Sequence, residues 1–243
     1  MIKKINKNTE FLHFEQLSEE WWQENGKFKI LHTINPLRIK YIKKNITVKK
    51  SPKFINPFKN LEILDLGCGG GLICEPLARL EAKVTGIDFI NENIKAAKIH
   101  ANKSNLNIKY LLQDLNSINL KKKYDLILML EVIEHLDNWD VLIRNSIKNL
   151  KPNGKLIIST INRNFLSRVF AIYISERILN IIPQNTHKYD KLIKPQELED
   201  VLNKNKMKVT DITGLFFNPI TRDWLLKKNK TRINYFCTAE KIN

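Results

Sequence analysis

Cysteine is scarce in this chain of 243 residues: Cys68, Cys74 and Cys237 are the only three, and no two of them form a Cys-x-x-Cys pair. That excludes a disulfide framework, argues against zinc, and gives the sequence the character of a reducing, cytosolic protein. No run of about 18 uncharged apolar residues occurs, so a membrane-spanning helix is excluded. The charged start, Met1-Ile-Lys-Lys-Ile-Asn-Lys-Asn, leads into no apolar segment, and no secretory signal is expected. Acidic residues are outnumbered, 25 against 41 Lys and Arg, for a formal charge of +16. Such a surplus invites an anionic partner. Lys is abundant together with Ile and Asn, however, which is a general drift of composition rather than a focused patch. With no Arg-rich, aromatic-interleaved stretch either, nucleic acid is not expected as a partner.

What is present is core material: 43% of residues are hydrophobic and 9% aromatic, which excludes disorder of the whole chain. From Leu61 onward, short apolar runs alternate with helical patterns, as in βαβ units. The runs are 61–66, 83–87, 108–112, 124–130 and 155–160. Helices are predicted near 72–80, 91–102 and 138–150, the last stopped by Lys151-Pro152-Asn153-Gly154. Runs at 209–213 and 233–239 complete the sheet as an antiparallel pair. The fold class is therefore α/β, a mostly parallel, doubly wound sheet with an antiparallel edge. Residues 1–60 form an N-terminal helical extension, with an aromatic and acidic stretch around Phe11–Trp22, and residues 61–243 form the main domain. An insertion, 162–195, follows the fifth strand at its carboxyl end, the side on which open α/β sheets bind ligands, and is expected to be an amphipathic lid.

The sharpest local signal is Ile63-Leu-Asp65-Leu-Gly67-Cys-Gly69-Gly-Gly71, a strand running into a glycine turn. Glycines let the backbone turn tightly and let a ligand approach main-chain N–H groups. A dinucleotide fingerprint would need its last glycine at Leu72, so that site is not matched. Asp65, two residues before the first glycine, would repel a pyrophosphate but attract the ammonium and sulfonium of S-adenosyl-L-methionine. Asp88, at the end of the second strand, is placed to accept both ribose hydroxyls of an adenosine moiety. Asp114, just past the third strand, is placed for the adenine amino group.

At these residues the chain resembles the class I S-adenosylmethionine-dependent methyltransferases, which have a Rossmann-like fold. More narrowly it resembles the ubiquinone-biosynthesis O-methyltransferase family. The narrower likeness rests on Trp21-Trp22, Gly26-x-Phe28-Lys29-x-Leu31-His32, Ile34-Asn35-Pro36-Leu37-Arg38, the glycine turn and Glu131-Val132-Ile133-Glu134-His135. It continues through Ser159-Thr160-x-Asn162-Arg163-Asn164, Thr186-His187, Ile212-Thr213-Gly214 and Asn218-Pro219. The resemblance implies methylation of phenolic oxygens on polyprenyl ring precursors, at two steps of ubiquinone synthesis, by a methyltransferase domain at 61–243. For the cofactor pocket it implies Arg38 on the methionine carboxylate, Gly67 and Gly69 at the turn, Asp88 on the ribose and Leu130 beside the adenosine.

Phenols titrate near 10, so transfer at neutral pH needs a base or a cation beside the oxygen. Glu131, Glu134 and His135 lie at offsets 0, 3 and 4, which on a helical turn share one face. They could hold a divalent ion that lowers the phenol pKa; the resemblance favours Mg²⁺, and the histidine keeps Mn²⁺ and Zn²⁺ open. Alternatively His135 is a general base oriented by an acid, with Glu131 as its catalytic companion, or the three form a capped polar loop.

The insertion carries Phe165, Leu166, Val169, Phe170, Ile172 and further apolar residues against only Arg168, Glu176 and Arg177, and is followed by Lys188, Lys191 and Lys194. That pattern suits a helix lying in an anionic membrane interface. The expected location is cytoplasmic, peripherally attached to the inner membrane, with a polyprenyl phenol or quinol as substrate and other quinone-biosynthesis enzymes as candidate partners. Two rivals stay open: a methyltransferase for RNA or another small acceptor, and a scaffold that binds S-adenosylmethionine without turnover.

Overall fold

The computed structural model describes residues 20–46, 56–118, 120–165, 167 and 191–242. Apolar runs buried on both faces build the centre of a parallel sheet. They are β1 (Glu62–Leu66), β2 (Lys83–Asp88), β3 (Lys109–Leu112), β4 (Tyr124–Leu130) and β5 (Leu150–Ile161). Helices α2 (Cys74–Arg79), α3 (Asn91–Lys103) and α4 (Trp139–Ile147) lie between them, preceded by α1 (Lys29–Ile46). After the insertion come α5 (Pro195–Lys204), β6 (Met207–Asn218), β7 (Asp223–Lys228) and β8 (Asn234–Lys241).

The sheet order is β3-β2-β1-β4-β5-β8-β6-β7. Neighbours from β3 to β5 are parallel, and β5–β8, β8–β6 and β6–β7 are antiparallel, as the sequence led one to expect. Alternation of side chains feeds one core on each face: Leu64, Leu66, Ile127 and Met129 on one, Ile63, Leu126 and Leu128 on the other. Helix α1 joins the second core through Ile34, Tyr41 and Ile42, and Tyr41 Oη lies 2.8 Å from Thr238 Oγ1. Strand order reverses between β1 and β4, and the cleft at their carboxyl ends is the ligand position for such sheets.

Two elements, the stop at 151–154 and strand β7, differ from expectation. Lys151–Gly154 lies inside β5: Leu150 already pairs with Tyr124, and the register shifts before Lys155 meets Leu126. Asn153 absorbs the irregularity with a φ of 58°. Helix α1 continues through Pro36, whose ring removes one N–H. Strand β7 adds an exposed, lysine-bearing edge. Most of the insertion, with the expected lid, the Thr186-His187 block and Lys188, lies outside the described residues. So does the Phe11–Glu19 part of the aromatic N-terminal stretch, whose described end, Glu20–Trp22, is a turn.

Candidate active site

Gly67 and Gly69 adopt φ of 73° and 52°. A Cβ added at Gly67 would lie 2.5 Å from Val132 Cγ2, and one at Gly69 2.5 Å from Trp21 Cη2. Conformation and space both demand glycine. Trp21 covers the turn, stacked on Phe28 at 3.9 Å between ring centroids, and its Nε1 donates to Asn93 Oδ1 at 2.7 Å. Trp22 Nε1 donates to Gly70 O at 3.0 Å, so both indoles pin the N-terminal segment to the turn.

Asp88, at the end of β2, is 4% exposed. Its Oδ2 accepts the Gly69 N–H at 2.9 Å, and its Oδ1 accepts from Ile90 N at 2.9 Å and Asn93 Nδ2 at 3.4 Å. Burial raises its pKa, while the Ile90, Gly69 and Asn93 hydrogen bonds oppose the rise.

Helix α1 delivers Arg38, 4% exposed, to the same edge. Burial lowers its pKa against the charges of Glu131, Asp65 and Glu134, and its Nε and Nη2 have no hydrogen-bond partner. Asp65 is equally enclosed; burial pushes it up to about 7, opposed by the Cys74 thiol, which donates at 3.3 Å, and by Arg38. Unpartnered guanidinium donors beside a carboxyl group fit a zwitterionic amino-acid moiety, carboxylate to Arg38 and ammonium to Asp65. The methionine end of S-adenosylmethionine has that form, and the glycine turn leaves the cradle beside it.

Past β4, Glu131 takes a φ of 57°, uncommon for a residue with a side chain, and donates its N–H to Ser159 O at 3.0 Å. Its Oε1 accepts from Ser159 Oγ at 2.7 Å, and Asn234 Nδ2 lies 2.9 and 3.0 Å from Oε1 and Oε2. Arg38 Nη2 stands 4.0 Å from Oε1, too far for a hydrogen bond. Glu134 is 3% exposed and accepts from Thr160 Oγ1 at 2.9 Å. Burial, then the Glu131 charge, push it up to about 8, with His135 opposing.

A family described as methyltransferase domain matches residues 57–224. A ubiquinone biosynthesis O-methyltransferase of Pelagibacter ubique is 44% identical over 96% of this chain and 97% of its own. One from Rickettsia prowazekii is 41% identical over 100% of this chain and 94% of its own. The chain belongs to the ubiquinone-biosynthesis O-methyltransferase family. Among solved structures, a methyltransferase of Thermotoga maritima, described as a possible histamine N-methyltransferase, superposes with a TM-score of 0.66 at 16% identity. It covers 96% of this chain and 100% of its own. The magnesium protoporphyrin IX methyltransferase of Synechocystis with bound S-adenosylhomocysteine gives 0.57 at 16% identity, over 89% and 100%. These likenesses are of fold.

In this methyltransferase the sequence-predicted Arg38, Asp65, Gly67, Gly69 and Asp88 gather at one edge of the sheet, with Leu130 at the end of β4. Asp114 instead closes its own turn, its Oδ1 accepting from Asn116 N at 2.9 Å and Asn116 Nδ2 at 3.1 Å. Glu131, Glu134 and His135 do not lie on one helical turn. The left-handed Glu131 and an irregular Val132 precede a short 3-10 turn, Ile133–His135, so the helical offset does not apply. Among the described residues no three His, Cys, Asp or Glu side chains are grouped to hold a metal ion. A cavity of about 240 Å³ opens next to this turn, lined by Leu136, Trp139 and Ile193 and by the Arg163–Glu197 and Lys191–Asp137 ion pairs. Asn234 and Asn93 were not singled out from the sequence. An asparagine at a strand start or in a helix's first turn reads as punctuation, and no local spacing betrays its distant partner.

Proposed function

We propose that the chain transfers the methyl group of S-adenosyl-L-methionine to phenolic hydroxyls of 2-polyprenyl-6-hydroxyphenol and 3-demethylubiquinol in ubiquinone biosynthesis. The observation that carries this reading is the likeness to relatives of that name over nearly the whole of both chains. When bound, the cofactor supplies an electrophilic methyl on a sulfonium. Arg38 and Asp65 hold its amino-acid end, Asp88 and the Gly67–Gly69 turn its adenosine end, and Leu130 lines the adenosine. Asp114, whose local turn engages Oδ1, is assigned to the adenine amino group.

The chemistry is an in-line displacement: the phenolate oxygen forms a bond to the methyl carbon as the carbon–sulfur bond breaks, leaving S-adenosylhomocysteine. Glu131 or His135 takes the phenolic proton, and alignment of the reacting atoms supplies several kcal/mol. Burial and the Glu131 charge favour the protonated form of Glu134, and Glu131, the more exposed of the two acids, is assigned as the acceptor. As arranged, Glu131, Glu134 and His135 do not fit a single divalent ion, because the left-handed Glu131 and the short 3-10 turn after it leave them ungrouped. We therefore assign activation of the phenol to these side chains without Mg²⁺, Mn²⁺ or Zn²⁺.

The test is transfer of label from S-adenosylmethionine to a short-chain demethylubiquinol analogue, with and without exhaustive chelation. Product in both arms is expected. Product only with added Mg²⁺ would return the cluster to metal ligation, and cofactor binding without transfer would overturn the acceptor. Peripheral attachment to an anionic membrane through the 162–195 insertion belongs to the same proposal, since the polyprenyl tail resides in a bilayer. No described helix is long and apolar enough to cross one. Flotation with anionic liposomes is expected, and its loss in Phe170→Glu.

A further inference from the structure

Asn234 is the first residue of β8, whose antiparallel direction brings its amino end to the ligand edge beside Ile161 of β5. Its Nδ2 reaches both oxygens of Glu131, whereas Ser159 reaches only Oε1. Chemistry fixes the orientation of this amide, because reversal would turn its oxygen toward a carboxylate. In the orientation observed, Oδ1 is buried with no hydrogen-bond partner. The acceptor's loss of hydration is uncompensated, and the clamped Glu131 carries a left-handed backbone. Two unfavourable features meeting at one hydrogen bond mark a geometry kept for a purpose other than stability.

We propose that Asn234 is a positioning residue for methyl transfer, fixing the direction in which Glu131 presents its carboxylate to the acceptor hydroxyl. The inference rests on the reading of Glu131 as the group that meets the phenol. With Ser159 alone, the carboxylate is held at one oxygen and swings about that bond; with Asn234 it is held at both. Asn234 thereby acts through Glu131 and on the reaction step, not on the cofactor.

The experiment compares Asn234→Ala and Asn234→Asp with the wild-type full chain, using labelled S-adenosylmethionine and the short-chain demethylubiquinol analogue. In Asn234→Ala, kcat is expected to fall about 100-fold, with cofactor Kd and acceptor KM changed by less than about threefold. In Asn234→Asp the introduced carboxylate faces Glu131 and repels it. Activity relative to wild type is expected to recover about tenfold or more from pH 8 down to pH 5.5, as the new acid gains a proton and becomes a donor again. A merely structural role would instead move cofactor Kd and acceptor KM together with kcat in Asn234→Ala. Should Asn234→Ala not fold, the isosteric Asn234→Asp carries the test alone. A kcat within about threefold of wild type in Asn234→Ala overturns the proposal, as does a loss in Asn234→Asp that is flat with pH. Failure of the functional reading looks different: wild type itself methylates no analogue, and the proposal falls with its acceptor.

Discussion

Gly69 donates its amide hydrogen to Asp88 Oδ2 at 2.9 Å, so the turn after β1 and the acid ending β2 form one unit before any ligand arrives. Each carboxylate oxygen offers two acceptor positions, and Oδ2 keeps one beyond the Gly69 bond for a ribose hydroxyl.

Asp88→Asn is expected to weaken binding of S-adenosylmethionine about 10- to 100-fold and to lower the melting temperature as well. The amide would turn a donor toward the N–H of Gly69 or Ile90, and a lost charged hydrogen bond costs ~1–3 kcal/mol. Isothermal calorimetry and thermal unfolding check the two effects separately. Unchanged affinity would remove Asp88 from the cofactor site.

Cofactor affinity should fall as the pH drops through about 7, the value to which burial lifts Asp65. Below it Asp65 is protonated and offers no charge to the ammonium; above it the carboxylate is available. The expected slope approaches about tenfold per pH unit below 7. Asp65→Asn should abolish that slope and bind at the weak, low-pH level throughout, which titration calorimetry across the range would detect.

Glu134 gives a stability signature with a definite sign. Its value is raised from 4.5 to about 8, so the folded chain keeps a proton that the unfolded chain releases. Its contribution is fully present below about 4.5 and is lost as the pH rises through 8. Glu134→Gln keeps an acceptor for Thr160 and removes the charge. It should raise the melting temperature by a few degrees at pH 8.5 relative to wild type and leave pH 4 nearly unaltered. A uniform change at both pH values would refute the assignment.

Trp21→Ala removes a ring that is 9% exposed and packed on the glycine turn, and is expected to cost ~3 kcal/mol by truncation of a buried aromatic. Trp21→Phe retains a stack on Phe28 but loses the hydrogen bond to Asn93 and part of the ring packed on Gly69, for an intermediate cost of ~1–2 kcal/mol. Chemical denaturation of both variants tests the ratio. Equal losses would mean that the hydrogen bond, not the packing, fastens the segment.

The central strands were legible because each is buried on two faces and is written as a continuous apolar run; β4 lies where it was expected, Tyr124–Leu130. Glycines at positive φ with an acid before them betrayed the cofactor turn for the same reason: few other side chains satisfy that backbone. Helix α1 lies within the expected N-terminal helical extension, and the packing of Ile34, Tyr41 and Ile42 outweighs the cost of Pro36. Strand β7 was obscured because an edge strand needs no apolar face, and Asp223-Trp-Leu-Leu-Lys-Lys alternates only weakly. The relation of Glu131 to Glu134 and His135 was read with a helical period that the left-handed residue breaks. Asn234 escaped notice because its partner is 103 positions away, a distance that no local pattern spans.

The placement of β8 between β5 and β6 bears on how the molecule comes into being. Lys155 pairs with Glu240, and Leu215 with Asn234, so a strand made after β5 and β6 is the one that joins them. A ribosome can release the parallel half, glycine turn and all, while the gap in the sheet is still open. During that interval the flank of β5 is an unpaired edge, prone to wrong partners. The hydrogen bonds from Asn234 to both oxygens of Glu131 arrive with that strand. In this chain the strand that closes the sheet also brings Glu131 its second side-chain donor.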